Sequence, residues 1–253
     1  MKKPLQLAIF CCFLMINSLL IAQSEQHFRA GVAAGVNFSQ INGDNQDGYH
    51  KVGVSVGAKG AYCFKPNFDM SAELLYNSRG SRPNPFESRE SLKERSALMT
   101  ATLNYADVLL AANFHFSPNS DYTFYRQSLQ FGVSYGRLLS SNIQVLKGDA
   151  PNVALETSLQ DQLRKDDLGF VAGYSWFLTA RLGIMAKHTF SLRKIYTNSL
   201  KGAANQEYQG FTPYNFSLQL VYNFISPKLN VKGQVEKARK AAERRKKNPL
   251  EDL

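Results

Sequence analysis

The stretch NFSLQLVYNF, Asn215–Phe224, decides the fold. Phe216, Leu218, Leu220, Tyr222 and Phe224 are apolar or aromatic, Asn215, Ser217, Gln219 and Asn223 between them are polar, and only Val221 breaks the alternation. Successive side chains on a strand point to opposite faces, so this reads as a strand with one apolar and one polar face. The same period recurs in HFRAGVAAGVNFS, KVGVSVGAKGAYCF, FDMSAELLYN, DVLLAANFHF, LQFGVSYG, LGFVAGYSWF and LGIMAKHTFSL, which makes eight strands in all.

The connections alternate as well. Little more than KPN, SPNSD and LTA separates strands two and three, four and five, and six and seven, whereas Gln40–His50, Arg79–Met99, Ser140–Asp166 and Lys194–Gly210 are long. Short turns at one end and long loops at the other are the pattern of an antiparallel sheet crossing an outer membrane. An open sheet would leave unpaired edges in lipid, so the sheet should close. A soluble eight-stranded barrel of the lipocalin kind would alternate too, with its apolar face inward. The two faces favour lipid outside instead. The polar one carries Gly, Ser, Asn and the charges Arg29, Lys59, Asp69, Glu73, Asp107, Lys187 and Arg193, which suit a narrow lumen. The apolar one ends in aromatics such as Phe28, Phe38, Phe64, Phe68, Tyr76, Phe116, Tyr214 and Phe224, which suit interfacial girdles. The expectation is an all-β, eight-stranded antiparallel up-and-down transmembrane β-barrel, with both chain ends on the short-turn side, the periplasm.

At 253 residues with a slightly negative mean hydropathy, the chain is not a polytopic helical membrane protein. Its one continuous apolar run follows MKK at the start and reaches the small residue Ala22, as in a cleaved signal peptide covering 1–22. Removing it takes Cys11 and Cys12 and leaves Cys63 alone, so no internal disulfide is available. The barrel is expected over 23–227, with a basic tail over 228–253. Half of the net charge of +10 lies after Ser226, where nine Lys or Arg face four Asp or Glu. An exported chain with its positive charge gathered at one end does not fit a nucleic acid partner.

These strands resemble a known family. DVLLAANFHF is similar to the E-I-P-L-L-L-K strand of the PorT-like outer-membrane β-barrel proteins of Bacteroidota. LQFGVSYGRLLS and DDLGFVAGYSWFL resemble that family's fifth and sixth strands, and AKHTFSLRKIY its A-R-Y-x-x-G-L-x-N-I segment, with Lys187 in place of the Arg. GVAAGVNFSQINGD followed by GVSVGAKGAYCF is similar to its first hairpin. Leu109 stands where the family usually has Pro, and Ser191 where it often has Gly. The resemblance covers about Phe28 to Phe224 and implies fold and location. It also implies a link to type IX protein secretion, in which the namesake takes part.

No catalytic constellation is visible. GVSYG at Gly132–Gly136 fits G-x-S-x-G, but that motif needs a sharp strand-to-helix turn, and here Ser134 lies mid-strand with Val133 and Tyr135 toward lipid. His27, His50, His115 and His188 share no metal-ligand spacing. His188 should face lipid and His115 the lumen near the short-turn end, where a carboxylate from a neighbouring strand could join it. No enzyme activity, cofactor or metal is expected. An eight-stranded barrel has an interior just wide enough for its own side chains, so the lumen charges should form an ion-paired plug rather than a conduit. In the tail, Glu236 precedes Lys240 by four residues and Glu243 precedes Lys247 by four, a favourable helical order, and Pro249 would end a helix. Lys237, Arg239, Lys240, Arg244, Arg245, Lys246 and Lys247 form a docking arm for peptidoglycan carboxylates or an acidic periplasmic protein, unless the tail is simply a solvated or disordered extension. The expected role is a structural or assembly component in outer-membrane lipid. The rivals are adhesion through the long loops, above all Ser140–Asp166, and a narrow diffusion channel.

Overall fold

The computed structural model describes residues 27–44, 46–87, 98–147, 150–196, 210–227 and 230–247. The expected signal peptide, 1–22, lies outside them, as does Pro249. The strands are β1 (Phe28–Asn42), β2 (Lys51–Lys65), β3 (Phe68–Ser81), β4 (Leu98–Pro118), β5 (Tyr125–Lys147), the two-residue β6 (Ala150–Pro151), β7 (Asp166–Phe177), β8 (Leu182–Ser191) and β9 (Thr212–Ile225). Two helices accompany them, α1 (Val153–Asp161) and α2 (Val231–Lys247).

The sheet runs β4-β3-β2-β1-β9-β8-β7-β5, and β4 pairs with β5, so these eight strands close into a ring with β6 as a spur on β5. Every pairing is antiparallel. Closure leaves no sheet edge in the ring and satisfies the strand backbone without water.

The faces are inverted relative to a soluble protein. In β9, Asn215, Ser217, Gln219, Val221 and Asn223 are buried in the lumen, with Gln219 1% exposed, while Leu220 beside it is 58% exposed on the outside. Val221 keeps phase with the polar row; it packs inside against Ala33 and Met185. A continuous exposed apolar band on a closed barrel is the mark of a surface wetted by lipid. Aromatics ring the band at the short-turn end, where Phe28, Tyr62, Phe64, Phe68 and Phe114 form a chain with ring centroids 4.8–5.9 Å apart. At the other end His188, Phe190 and Tyr214 cluster, and the Tyr49 hydroxyl lies 2.7 Å from His188 Nε2.

Two of the expected loops are partly strand. Arg79–Met99 contains the ends of β3 and β4, and Ser140–Asp166 contains eight further residues of β5 together with β6 and α1. The reason is an exchange of faces. Below Ala106 the inward side chains of β4 include Asp107, Asn113 and His115; above it they are Met99, Ala101, Leu103 and Tyr105, all buried, and Thr100, Thr102 and Asn104 turn outward. A register shift at Asn104/Tyr105 marks the change. Beyond the lipid the barrel reverts to the soluble rule of apolar inside, polar outside. α1 is capped by Asn152, whose side chain accepts from the Leu155 N–H, and Glu156 accepts from the Val145 N–H at 2.8 Å. It inserts Leu159, fully buried, into a core with Ile41, Met99, Leu103, Tyr105, Ile143, Val145, Ile195, Tyr196 and Phe211. This core closes the long-loop end.

Candidate functional site

The lumen holds three layers of charged side chains, made by in-phase residues that several strands present to the interior, some of them from opposite sides of the ring. Nearest the short turns, Arg29 Nη1 donates to Asp69 Oδ2 at 2.7 Å, and His115 Nε2 lies 2.7 Å from the same oxygen. Asn113 donates to the other Asp69 oxygen at 2.6 Å. Cys63, the free thiol, is buried here beside Asp69. In the middle, Glu73 receives Lys59 at 2.9 Å, Lys187 at 2.8 Å and the Gln130 amide at 2.9 Å. Highest, Arg79 lies 3.0 Å from Asp167 and 3.5 Å from Asp107, which also accepts from Asn77 at 2.6 Å. The Arg79 guanidinium rests 4.0 Å from the centroid of Tyr105, joining this layer to the apolar core above.

The formal charges balance between layers. One carboxylate faces two lysines in the middle layer, and two carboxylates face one arginine in the highest. Buried charges are costly unless paired and hydrogen-bonded, and here nearly every one has both. Gly136 makes room for the highest layer, since a Cβ there would collide with Asp107 Oδ1 and stand 2.9 Å from Arg79 Nη2. Ser134, two residues before, is buried mid-strand with Val133 and Tyr135 exposed on either side.

Of the expected lumen charges, the structure brings Arg29 to Asp69, Lys59 and Lys187 to Glu73, and Asp107 to Arg79. Arg193 is a correction. It follows the end of β8, is 53% exposed, and sits 3.8 Å from Asp166 at the outer rim. Arg79 and Asp167 are lumen charges beyond the expected set. Their signal is the alternation itself, since Asn77, Arg79 and Ser81 continue the polar row of β3, and Asp167 is in phase with Gly169 and Val171.

Outside the band, Asp44 follows β1 in the first long connection. Burial pushes its carboxyl up to about 6, although Ser81 Oγ donates to it and the Gln46 N–H donates at 3.0 Å. At the short-turn end, α2 is tied to the barrel. Asn230 accepts from the Gly233 N–H at 2.9 Å, Val231 is fully buried, and Gln234 donates to Asn67 at 2.5 Å and accepts from the Tyr125 hydroxyl at 3.3 Å. Beyond that point Lys237, Arg239 and Lys240 are exposed, with Lys240 2.9 Å from Glu236 and Arg239 3.3 Å from Glu243. The side chains of Arg244, Arg245, Lys246 and Lys247 lie outside the described residues. Among the described residues no group of three or more His, Cys, Asp or Glu is placed to hold a metal ion.

Comparison with curated proteins gave no match. Solved structures similar in fold include the attachment invasion locus protein Ail of Yersinia pestis, at 15% identity and TM-score 0.40, covering 79% of this chain and 100% of that one. Neisserial surface protein A is similar at 11% identity and TM-score 0.38, covering 80% and 100%. The outer membrane protein OprG of Pseudomonas aeruginosa is similar at 10% identity and TM-score 0.34, covering 79% and 95%. The family model described as "outer membrane protein beta-barrel domain" matches residues 21–197, well over half of the sequence. With its closed ring, apolar outer face and polar lumen, the chain belongs to that outer-membrane β-barrel family and resides in the outer membrane.

Proposed function

We propose that this protein is a closed, non-enzymatic outer-membrane anchor that holds a basic helix at a fixed place in the periplasm, as a structural or assembly component. The observation that carries the reading is the attachment of α2. Val231 is buried and Gln234 is held by Asn67 and Tyr125 on two separate short-turn segments, so the helix leaves the barrel in a set direction with Lys237, Arg239 and Lys240 exposed on its surface. The charge suits peptidoglycan carboxylates or an acidic periplasmic protein. The resemblance to PorT-like chains makes type IX secretion the assembly to examine first. Adhesion through the outer loops and diffusion through the lumen are the rival roles; the packed lumen weighs against the second.

Crosslinking pull-down from outer membranes, comparing the full-length protein with a version truncated after Pro227, tests the proposal. Capture of peptidoglycan or one defined periplasmic protein by the full-length protein alone is the expected result. Identical capture by both versions, each folded in the membrane, would make the tail a bystander and move attention to the loops.

A further inference from the structure

We infer that the outer rim of the barrel over β5 and β7 carries a binding groove for the phosphate of an outer-leaflet lipid, with Arg137 and Lys165 as its cationic groups. The inference uses the orientation in which the short turns face the periplasm, and is otherwise independent of the tail's role.

The outward row of β5 reads Leu129, Phe131, Val133, Tyr135 and then Arg137, all exposed. Arg137 pairs in register with Ala106 of β4 on one side and Asp166 of β7 on the other. That line of three is where the lipid-facing surface ends. Immediately above Ala106 the outward residue is Asn104, which donates to Ser140 at 2.9 Å. Arg137 therefore stands at the upper limit of the hydrocarbon, two residues or about 7 Å along the strand from Tyr135. A guanidinium there extends upward to reach polar atoms.

No ion pair engages Arg137 among the described residues; the neighbouring carboxylate, Asp166, lies 3.8 Å from Arg193 instead. Above Arg137 an open groove of about 460 Å³ is lined by Leu139, Ser140, Ser141, Asp161 and Lys165 among others. The Leu138 N–H donates to the Lys165 carbonyl at 2.7 Å, which holds the two basic segments side by side. The groove thus offers two cations, two hydroxyls, one acid and an exposed leucine on the lipid side. Arg164, Arg193 and Lys194 stand exposed on the same rim. A planar guanidinium beside an ammonium is the recognition chemistry of phosphate. At this height the anion in reach is the phosphate of a phosphorylated glycolipid, whose chains would lie along Leu139 and Tyr135.

The test is a binding titration of the full-length protein, refolded in neutral detergent, with diphosphorylated lipid A, its dephosphorylated form and inorganic phosphate. Heat-modifiable migration on gels checks that each variant is folded. Lipid A should bind wild type, and R137Q/K165Q should bind it about tenfold more weakly or worse, the loss expected for one charge-assisted contact. R126Q, which removes an exposed cation at the opposite end, should bind as wild type does. Equal binding of lipid A by wild type and folded R137Q/K165Q would overturn the proposal. So would equal binding of the dephosphorylated lipid, equal loss in R126Q, or inorganic phosphate binding as tightly as the lipid.

Discussion

Glu73 meets two lysines and a glutamine in a space closed to water, and its carboxylate is what keeps Lys59 and Lys187 from being unpaired charges. Removing one partner of a buried ion pair is far more damaging than replacing the whole set, because it strands the other charge. Glu73→Ala should therefore destabilise the barrel by about 3–5 kcal/mol. Urea unfolding followed by heat-modifiable migration would read the loss, and Glu73→Gln, which keeps the volume and the link to Gln130, should lose less. A variant of unchanged stability that conducts ions would show the charges to line a path rather than fill it. Individual residues are legible in the sequence wherever the two faces of a strand differ chemically, which is why alternation alone assigns Arg29, Asp69, Glu73 and Lys187 to the interior. It misplaces Arg193 because β8 ends at Ser191, and alternation carries no information once the chain leaves the sheet.

The hairpin of β4 and β5 is the element in which the pattern changes meaning. Within the lipid, inward means polar; above Ala106 and Arg137, inward means apolar, and Met99, Leu103, Tyr105, Ile143 and Val145 join the core under α1. Both regimes alternate with period two, but the sense flips across a register shift, so a search for one continuous amphipathic phase stops at Asp107. The α1 helix is hidden for a different reason. It is nine residues long and is held by one capping asparagine and two buried leucines, Leu159 and Leu163, with the second just past its end. Leu159→Ala should open this end locally, at a cost of about 2–5 kcal/mol to the outer core. Hydrogen exchange should quicken in 98–105 and 141–147 and remain slow in the lipid-embedded parts of β1, β2 and β9. Uniform loosening of the whole barrel would instead mean that the outer core and the lumen fold as one unit.

At the scale of the molecule, three ion-paired layers and an apolar core stand in series along the barrel axis, and the first turn of α2 is attached at the short-turn end. The strand count, closure and outward face of the barrel follow from alternation and loop lengths, because lipid enforces them on every strand. What the tail touches does not follow, because a solvated basic helix is compatible with many partners. The central claim is that this barrel is sealed, serving as an anchor rather than a passage. Single-channel recording of folded full-length protein in planar bilayers tests it most directly. The account predicts a silent bilayer with both wild type and the version truncated after Pro227, since the seal lies in the lumen and not in the tail. Reproducible stepwise currents from folded wild type would contradict it.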